Sequence, residues 1–192
     1  MKNSIKFKTL ICLSLMLFML IGACKQNETQ TSTTKASTSI EKPSMDIHAA
    51  ILSENMEVVK QHIKAGSDLN KKDAMSGSSP LITASTFNKV DIASALINAN
   101  ADLSIKNNDG ATALHTAAFF GRIEIVQLLI DAKADKTIKN NYGATPRETV
   151  MGDFAQMKPI YEMMIVQLEP MGFNLDLEKL EAARPVIAMM LQ

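Results

Sequence analysis

Apolar side chains recur at intervals of three and four residues in three separate stretches of the chain. This spacing places them along one face of an α-helix, so each stretch predicts an amphipathic helix paired with a shorter helix before it. A hairpin of that size cannot bury its own apolar face, so its stability must come from stacking on its neighbours. The predicted faces consist of Val58, Val59 and Ile63, then Ile92, Leu96 and Ile97, then Ile125, Val126, Leu128, Leu129 and Ile130.

The pattern repeats along the chain with a period of 33 residues. A shift by that period aligns Gly77, Gly110 and Gly143, and it also aligns Ser79, Thr112 and Thr145. A shift of 34 residues aligns Leu-Ile-Thr-Ala at residues 81–84 with Ile-His-Ala-Ala at residues 47–50. A repeat of this length, kept in phase over several copies, predicts a stacked repeat architecture.

The core of the repeat reads Thr-Ala-Leu-His-Thr-Ala at residues 112–117 and Ser-Pro-Leu-Ile-Thr-Ala at residues 79–84, and it is shortened to Thr-Pro at residues 145–146. This core and its period resemble the ankyrin repeat. The resemblance covers residues 45–150 and implies an all-α solenoid of helix-turn-helix units with short β-hairpin turns. It also implies protein binding through a concave groove, which the hairpin tips and the exposed face of the first helices would line.

Residues at the predicted helix ends suit their positions. Thr112 is expected to cap the first helix of its copy, because its hydroxyl can accept from a backbone N–H two or three residues further on. Pro80 and Pro146 stand at the first helical position, where a proline loses no hydrogen bond. Left-handed residues are expected after the second helices, at Gly66, at Asn100 and, as a departure from the pattern, at Lys133.

Residues 151–192 depart from the repeat. Pro159, Pro170 and Pro185 are expected to divide this stretch into short helices, since proline is poorly tolerated inside a helix. Apolar residues at helical spacing, among them Ile160, Met163 and Leu180, would cover the open end of the array. We therefore predict a C-terminal helical cap. A small-ligand-binding or enzyme-like role in this segment is the alternative, and a pocket with converging polar side chains would favour it.

The N-terminal residues have the features of a secretion signal. Three lysines precede an apolar run at residues 10–21, which is too short to span a bilayer as a helix. The run ends Leu-Ile-Gly-Ala-Cys at residues 20–24 and resembles the lipobox of bacterial lipoproteins, with Ile21 where that family prefers Leu. The resemblance implies a signal peptide at residues 1–23 and lipidation of Cys24. A signal peptide cleaved nearby, or an uncleaved anchor, is the alternative.

The lipidated chain would be attached to a membrane of the bacterial cell envelope. Lys25 follows the cysteine, and in lipoproteins of this kind an Asp there often marks retention in the inner membrane. Lys25 therefore predicts the outer membrane, facing the periplasm. Residues 24–44 are rich in Ser and Thr with almost no large apolar side chain, which predicts a flexible tether.

Composition and motifs argue against several other functions. The chain has equal numbers of basic and acidic side chains, and removal of residues 1–23 leaves 17 basic and 20 acidic ones. No basic surplus remains for nucleic acid. There is no Gly-x-Ser-x-Gly motif, no Gly-rich phosphate loop and no cysteine besides Cys12 and Cys24. His48 and His115 lie at or beside the repeat-core position, where the resemblance implies hydrogen bonds to backbone, and His62 is expected on a solvated face. We expect no catalytic residue, no metal and no cofactor.

A protein partner of the envelope remains the predicted ligand, bound by a monomer. Aromatic residues are favoured at the centres of interfaces. The resemblance places eight candidate partner-binding residues in the groove, where the aromatic rings would form an exposed stripe unless they pack between repeats. These candidates are Met75, Phe87, Asn108, Asp109, Phe119, Phe120, Asn141 and Tyr142.

The lipoprotein prediction has a direct test in Cys24→Ser. This substitution removes the one thiol that would carry the lipid, so the variant should remain unprocessed or become soluble. Incorporation of radioactive fatty acid into the wild type and the variant measures the difference. Undiminished label in Cys24→Ser would contradict lipidation at this residue.

Overall fold

The computed structural model describes residues 42–192. Three helical hairpins come first, made of α1 (Ile47–Leu52) and α2 (Met56–Lys64), α3 (Pro80–Thr86) and α4 (Val90–Asn98), and α5 (Ala113–Phe119) and α6 (Ile123–Asp131). They are followed by α7 (Phe154–Leu168) and α8 (Leu177–Met190). Short 3₁₀ turns occupy Glu148–Val150 and Glu169–Met171. The signal peptide, Cys24 and most of the tether lie outside the described residues.

The helices stack in two rows. The first helices α1, α3 and α5 pack side by side, and the second helices α2, α4 and α6 form a parallel row behind them. No residue of 42–192 belongs to a strand, so the predicted all-helical class is confirmed. No helix in the same range is both long and apolar enough to cross a membrane.

Local sequence explains where the first helices begin. The side chains of Asp46, Ser79 and Thr112 each accept a hydrogen bond from a backbone N–H in the first turn of the following helix. Pro80 occupies the first turn of α3 as predicted. The second helices end in left-handed residues, with φ angles of 65° at Gly66, 61° at Asn100 and 64° at Lys133. Lys133 adopts this conformation although a side chain makes it less favourable than glycine there.

The fourth copy of the repeat begins like the others and then stops. Thr145 and Glu148 cap each other, because the N–H of Thr145 donates to the Glu148 carboxylate (2.7 Å) and the N–H of Glu148 donates to the Thr145 hydroxyl (3.3 Å). Only the 3₁₀ turn at Glu148–Val150 follows, where a first helix would stand. Helix α8 packs beside α6 and against this turn, so it takes the place of the next second helix.

The prediction that three prolines would divide residues 151–192 into short helices is wrong for two of them. Pro159 lies inside the 15-residue helix α7, and Pro185 lies inside the 14-residue helix α8. Each removes one backbone hydrogen bond, at a typical cost of about 3 kcal/mol in a helix interior. Packing against the repeats offsets this cost. Pro170 alone falls between helices, in the second 3₁₀ turn.

The core runs through all three hairpins and ends under α8. Its centre is made of leucine, isoleucine, valine and alanine side chains from both helix rows, with Ile187 and Leu191 closing the far end. Fully or almost fully buried members include Ile51, Val59, Leu81, Leu96, Leu114, Ile125 and Leu129.

Leu114→Ala should lower the free energy of unfolding by about 2–5 kcal/mol, because a fully buried leucine is lost and a cavity remains. Chemical denaturation measures the change, with Met189→Ala on the exposed surface of α8 as the control. We expect the control to change stability by less than about 0.5 kcal/mol. A loss of similar size in both variants would contradict the assigned position of Leu114.

Candidate functional site

The hairpin tips between repeats are built around three equivalent polar side chains. Asp73 accepts hydrogen bonds from three backbone N–H groups of its tip, each at 2.8 Å. Asn107 and Asn140 each accept two, at 2.9–3.0 Å. An Asp or Asn that accepts from N–H groups further along stabilises a tight turn. Each tip therefore has a defined backbone conformation.

Neighbouring tips are also tied to each other. The backbone N–H of Asn108 donates to Ser76 O (2.9 Å), and its side-chain amide donates to Met75 O (3.1 Å). Asn141 makes the equivalent bonds to Asp109 O and Asn108 O, both at 2.9 Å. Asn108 and Asn141 were predicted as partner-binding residues, and their amide groups hold the row of tips together.

The ties leave no room for a side chain at two glycines. A Cβ on Gly77 would lie 2.3 Å from Asn108 Oδ1, and one on Gly110 would lie 2.4 Å from Asn141 Oδ1. Both glycines also have positive φ angles, of 66° and 72°. Gly77 and Gly110 are thus required by conformation and by the neighbouring tip together, whereas Gly143 has a positive φ angle of 77° and no atom within 4 Å of where a Cβ would stand.

The outer surface of the tips carries two large apolar side chains in contact with water. Met75 is 84% exposed and Tyr142 is 78% exposed. The Tyr142 hydroxyl lies 3.4 Å from Asp109 Oδ1, on the adjacent tip. Five of the eight predicted residues therefore lie together on one exposed row, which we call the tip row: Met75, Asn108, Asp109, Asn141 and Tyr142.

The other three predicted residues lie at the opposite ends of the first helices, in a second apolar cluster. Phe87 is 9% exposed and Phe120 is 5% exposed, and the ring of Phe173 packs edge-on against both, with centroids 5.9 and 5.2 Å away. The Phe119 ring, which is only partly buried, lies 4.7 Å from that of Tyr161. The expected water-exposed aromatic stripe is therefore wrong for Phe87 and Phe120, because residues 154–180 cover them. A role for these rings in binding a partner stays a prediction.

A buried polar group holds this cover in place. Tyr161 is fully buried, and its hydroxyl donates to Phe119 O (3.1 Å) while it accepts from Arg184 (3.2 Å). Arg184 also donates to Gly152 O (2.6 Å), and its guanidinium lies 5.5 Å from the centre of the Phe154 ring. Burial raises the pKa of Tyr161, and the Arg184 charge opposes that rise. Tyr161 and Arg184 were not predicted from the sequence, although the spacing of the apolar residues in α7 was a signal for Tyr161.

A second guanidinium lies under the connection between α7 and α8. Arg122 donates to Thr86 O (3.2 Å) and to Asn174 O (2.9 Å), and it lies 5.6 Å from the Phe173 ring. Its Nε is buried without a hydrogen-bond partner. Burial lowers the pKa of Arg122 to about 10, so it stays charged at neutral pH. Within residues 42–192, neither Arg122 nor Arg184 forms an ion pair with a carboxylate.

Comparison with known proteins agrees with this geometry. A family model described as ankyrin repeats matches residues 47–140 in three copies. The helical array is a set of ankyrin repeats. The chain is 41% identical over 64 residues to protein phosphatase 1 regulatory subunit 27 of Homo sapiens and of Mus musculus, a match that covers 33% of this chain and 41% of each relative. The ankyrin repeat domain of Bcl-3, a member of the IkappaB protein family, superposes with a TM-score of 0.52 at 31% identity. That match covers 54% of this chain and 45% of the Bcl-3 chain, so this chain spans less than half the length of each of these relatives.

Two of the three histidines support the hairpin tips of the ankyrin array. His48 Nε2 donates to Lys71 O (2.9 Å), and its Nδ1 lies 3.0 Å from the Thr83 hydroxyl. His115 Nε2 donates to Ala144 O (3.0 Å), which leaves its Nδ1 to accept from the N–H of Thr112 (3.2 Å). Their predicted structural role is therefore confirmed.

The prediction for the third histidine is wrong. His62 is buried instead of solvated. It donates to Met45 O (2.8 Å) and pairs with the Ser67 hydroxyl (3.0 Å). These bonds attach the segment before α1 to the first hairpin. In residues 42–192, no group of three or more His, Cys, Asp or Glu side chains could hold a metal ion.

His115 should make the stability of the array depend on pH. Burial and the nearby Lys106 charge lower the pKa of His115, and the hydrogen bond to Ala144 O opposes them. The folded state thus binds fewer protons on this ring than the unfolded chain does. The contribution of His115 to the free energy of unfolding is complete above the pKa that histidine has in the unfolded chain, about 6.5, and it is lost as the pH falls below that value.

We expect the melting temperature to fall between about pH 7 and pH 5, with a smaller fall in His115→Asn, which cannot titrate. Carboxylates whose pKa values are lowered, such as Asp73, change the stability only below about pH 4, so they do not contribute to the fall between pH 7 and pH 5. Equal pH dependence in the wild type and His115→Asn would show that His115 is not the group responsible.

Proposed function

We propose that this chain is a non-catalytic, lipid-anchored module that binds another protein of the bacterial cell envelope through its tip row. The observation that carries the proposal is the exposure of Met75 and Tyr142 on tips of fixed conformation. Ankyrin repeats at residues 47–140 support a protein-binding role. Two curated relatives are named as regulatory subunits of a phosphatase, which describes proteins that act together with another protein.

The chemistry of the tip row suits a protein surface. Tyr142 offers a flat apolar ring with a hydroxyl at its end, and such rings are favoured anchors at interfaces. Met75 offers a flexible apolar side chain that adapts to irregular surfaces. Asp109 places a carboxylate beside the Tyr142 hydroxyl, so the pair can accept hydrogen bonds from a partner.

The rigidity of the tips favours affinity. Turn-forming side chains and hydrogen bonds from the Asn108 and Asn141 amides already fix the backbone of the tips. Few additional rotatable bonds would therefore have to become fixed on binding. Interfaces lose affinity when loops and side chains must be ordered on association, and a preformed surface avoids part of that loss. The tip row would therefore lose less conformational freedom on binding than a flexible loop of the same composition.

The alternative role in residues 151–192 receives less support. Some of their apolar side chains, Leu180 among them, pack in the clusters that the repeats share, as expected for a covering segment. The expectation is wrong for Ile160 and Met163, which are 42% and 53% exposed. A cavity of about 270 Å³ lies where α8 meets the third repeat, with Arg122 and Lys179 on its wall beside Glu124 and Asp176. Side chains of both charges are spread along the wall of this cavity, and Lys179 pairs with Asp176 (3.3 Å). We propose no catalytic or small-ligand role for it.

The anchoring part of the proposal rests on the sequence of residues 10–24 and is tested by fatty-acid labelling of Cys24→Ser. Attachment at Cys24 would keep the repeats close to the membrane, within reach of envelope proteins, because about 20 tether residues have a root-mean-square span of about 25 Å. Outer-membrane attachment facing the periplasm is the location that we propose.

Tyr142→Ala and Met75→Ala should each keep the melting temperature and weaken partner binding, by about 30-fold if the side chain is a centre of the interface. Pull-down from envelope extract measures recovery of the partner that the wild type captures. Met189→Ala is the matched control, since it removes another exposed Met, from α8. Full recovery by the Tyr142→Ala, Met75→Ala double variant would contradict binding through the tip row.

A further inference from the structure

The apex of each hairpin tip carries one outward side chain, and the three apices differ in chemistry. Met75, Asp109 and Tyr142 each stand one or two residues before the glycine of their tip. All three are exposed. The tip row therefore presents a flexible apolar group, a carboxylate and an aromatic ring, in that order along the array.

The carboxylate of Asp109 has no part in building its own tip. In the first tip, the Asp73 carboxylate accepts from three backbone N–H groups of its turn, and in the second tip Asn107 takes that role. Within residues 42–192, the Asp109 carboxylate accepts from the Tyr142 hydroxyl (3.4 Å) and forms no ion pair. It can therefore accept from a donor on another protein.

The lysines of the second and third tips do not occupy this carboxylate. Lys106 and Lys139 each precede the apex of their tip by three residues. Lys106 Nζ donates to Lys139 O (2.9 Å), so its charge is held at the base of the tips. A guanidinium of a partner can pair with Asp109 and lie against the Tyr142 ring, two contacts that arginine favours.

The spacing of the apices follows from the stacking of the first helices. Packed helices lie about 8–10 Å apart, depending on the size of the side chains between them. The first helices bury several alanines, among them Ala84, Ala117 and Ala118, which allow a close approach. The hydrogen bond from Asn108 N–H to Ser76 O keeps neighbouring tips in step with the helices. Successive apices are therefore about 9 Å apart.

One backbone conformation of a bound segment matches this spacing. In a polyproline II helix, residues i, i+3 and i+6 lie on the same side and are about 9 Å apart. Residues on one side of a β-strand recur at about 7 Å, and residues seven apart in an α-helix recur at about 10.5 Å. A polyproline II segment thus places three side chains over three consecutive apices. Its backbone is already extended, so little ordering accompanies binding.

We propose that the tip row binds a polyproline II segment of its partner, with an apolar residue three positions before and three positions after an arginine. The arginine pairs with Asp109, and the two apolar residues contact Met75 and Tyr142. The inference rests on the proposed protein-binding function of the tip row and specifies the segment that this row recognises.

A labelled peptide, Pro-Leu-Pro-Pro-Arg-Pro-Pro-Leu-Pro, is the probe, titrated into the full chain and followed by fluorescence anisotropy. The control peptide, Pro-Leu-Pro-Arg-Pro-Pro-Pro-Leu-Pro, has the same composition, but its arginine is rotated by a third of a turn from the two leucines. The probe should bind at least about 10-fold more tightly, because the control cannot contact Asp109 and both apolar apices together. Equal affinities, or an absence of binding by the probe, would overturn the proposal.

Asp109→Asn tests the role of the carboxylate. The substitution removes the charge and keeps an acceptor for the Tyr142 hydroxyl, so the melting temperature should not change. Binding of the probe should weaken at least about 10-fold. Added salt should weaken binding to the wild type and have little effect on the variant, because salt screens the ion pair.

Asp131→Asn is the matched control, since it neutralises an exposed carboxylate at the end of α6 and should bind the probe like the wild type. Binding of the probe to Asp109→Asn with wild-type affinity would contradict pairing of the arginine with Asp109.

Peptide binding and capture of envelope proteins can fail separately. If the probe does not bind while Tyr142→Ala loses the captured partner, the polyproline II segment is overturned and the tip row remains the binding surface. If the probe binds through Asp109 while the Tyr142→Ala, Met75→Ala double variant captures partners normally, recognition of the segment is supported. The captured partner then uses a surface other than the tip row.

Discussion

Each helical hairpin of this protein is too small to bury its own apolar face, and the rest of the structure follows from that constraint. Leu81 and Leu114 are buried because the next repeat covers them. The row must therefore end in something other than another repeat. A single 3₁₀ turn and α8 supply the ending, with Ile187 and Leu191 completing the core that a fourth hairpin would have continued.

Stacking also separates the two ends of the first helices into surfaces of different character. At one end, the tips are tied by Asn108 and Asn141, and the side chains of Met75 and Tyr142 remain in water. At the other end, the aromatic side chains are covered by residues 154–180 of the same chain. The exposed tip row and the covered aromatic side chains thus lie at opposite ends of the first helices.

The cover has an unusual electrostatic composition. Arg122 and Arg184 lie beneath it and donate to backbone carbonyls and a tyrosine hydroxyl, and the Nε of Arg122 has no partner. No carboxylate of residues 42–192 forms an ion pair with either guanidinium. Aromatic contacts favour the docked state and burial of positive charge opposes it. This balance distinguishes the cover from the main core, which is made of leucine, isoleucine, valine and alanine side chains.

The sequence by itself determined the features that depend on near neighbours. The 33-residue period predicted the helical hairpins, Thr112 predicted a helix cap, and Asn100 and Lys133 predicted left-handed turns, because each of these depends on a few consecutive residues. Only the tertiary structure decided the state of Phe87, Phe120 and His62. An outward-facing side chain on one repeat is exposed or buried according to whether a distant segment reaches it, and Phe173 lies 53 residues beyond Phe120 in the chain. The same contacts explain why Pro159 and Pro185 lie within helices, since packing of the whole element outweighs the loss of one hydrogen bond.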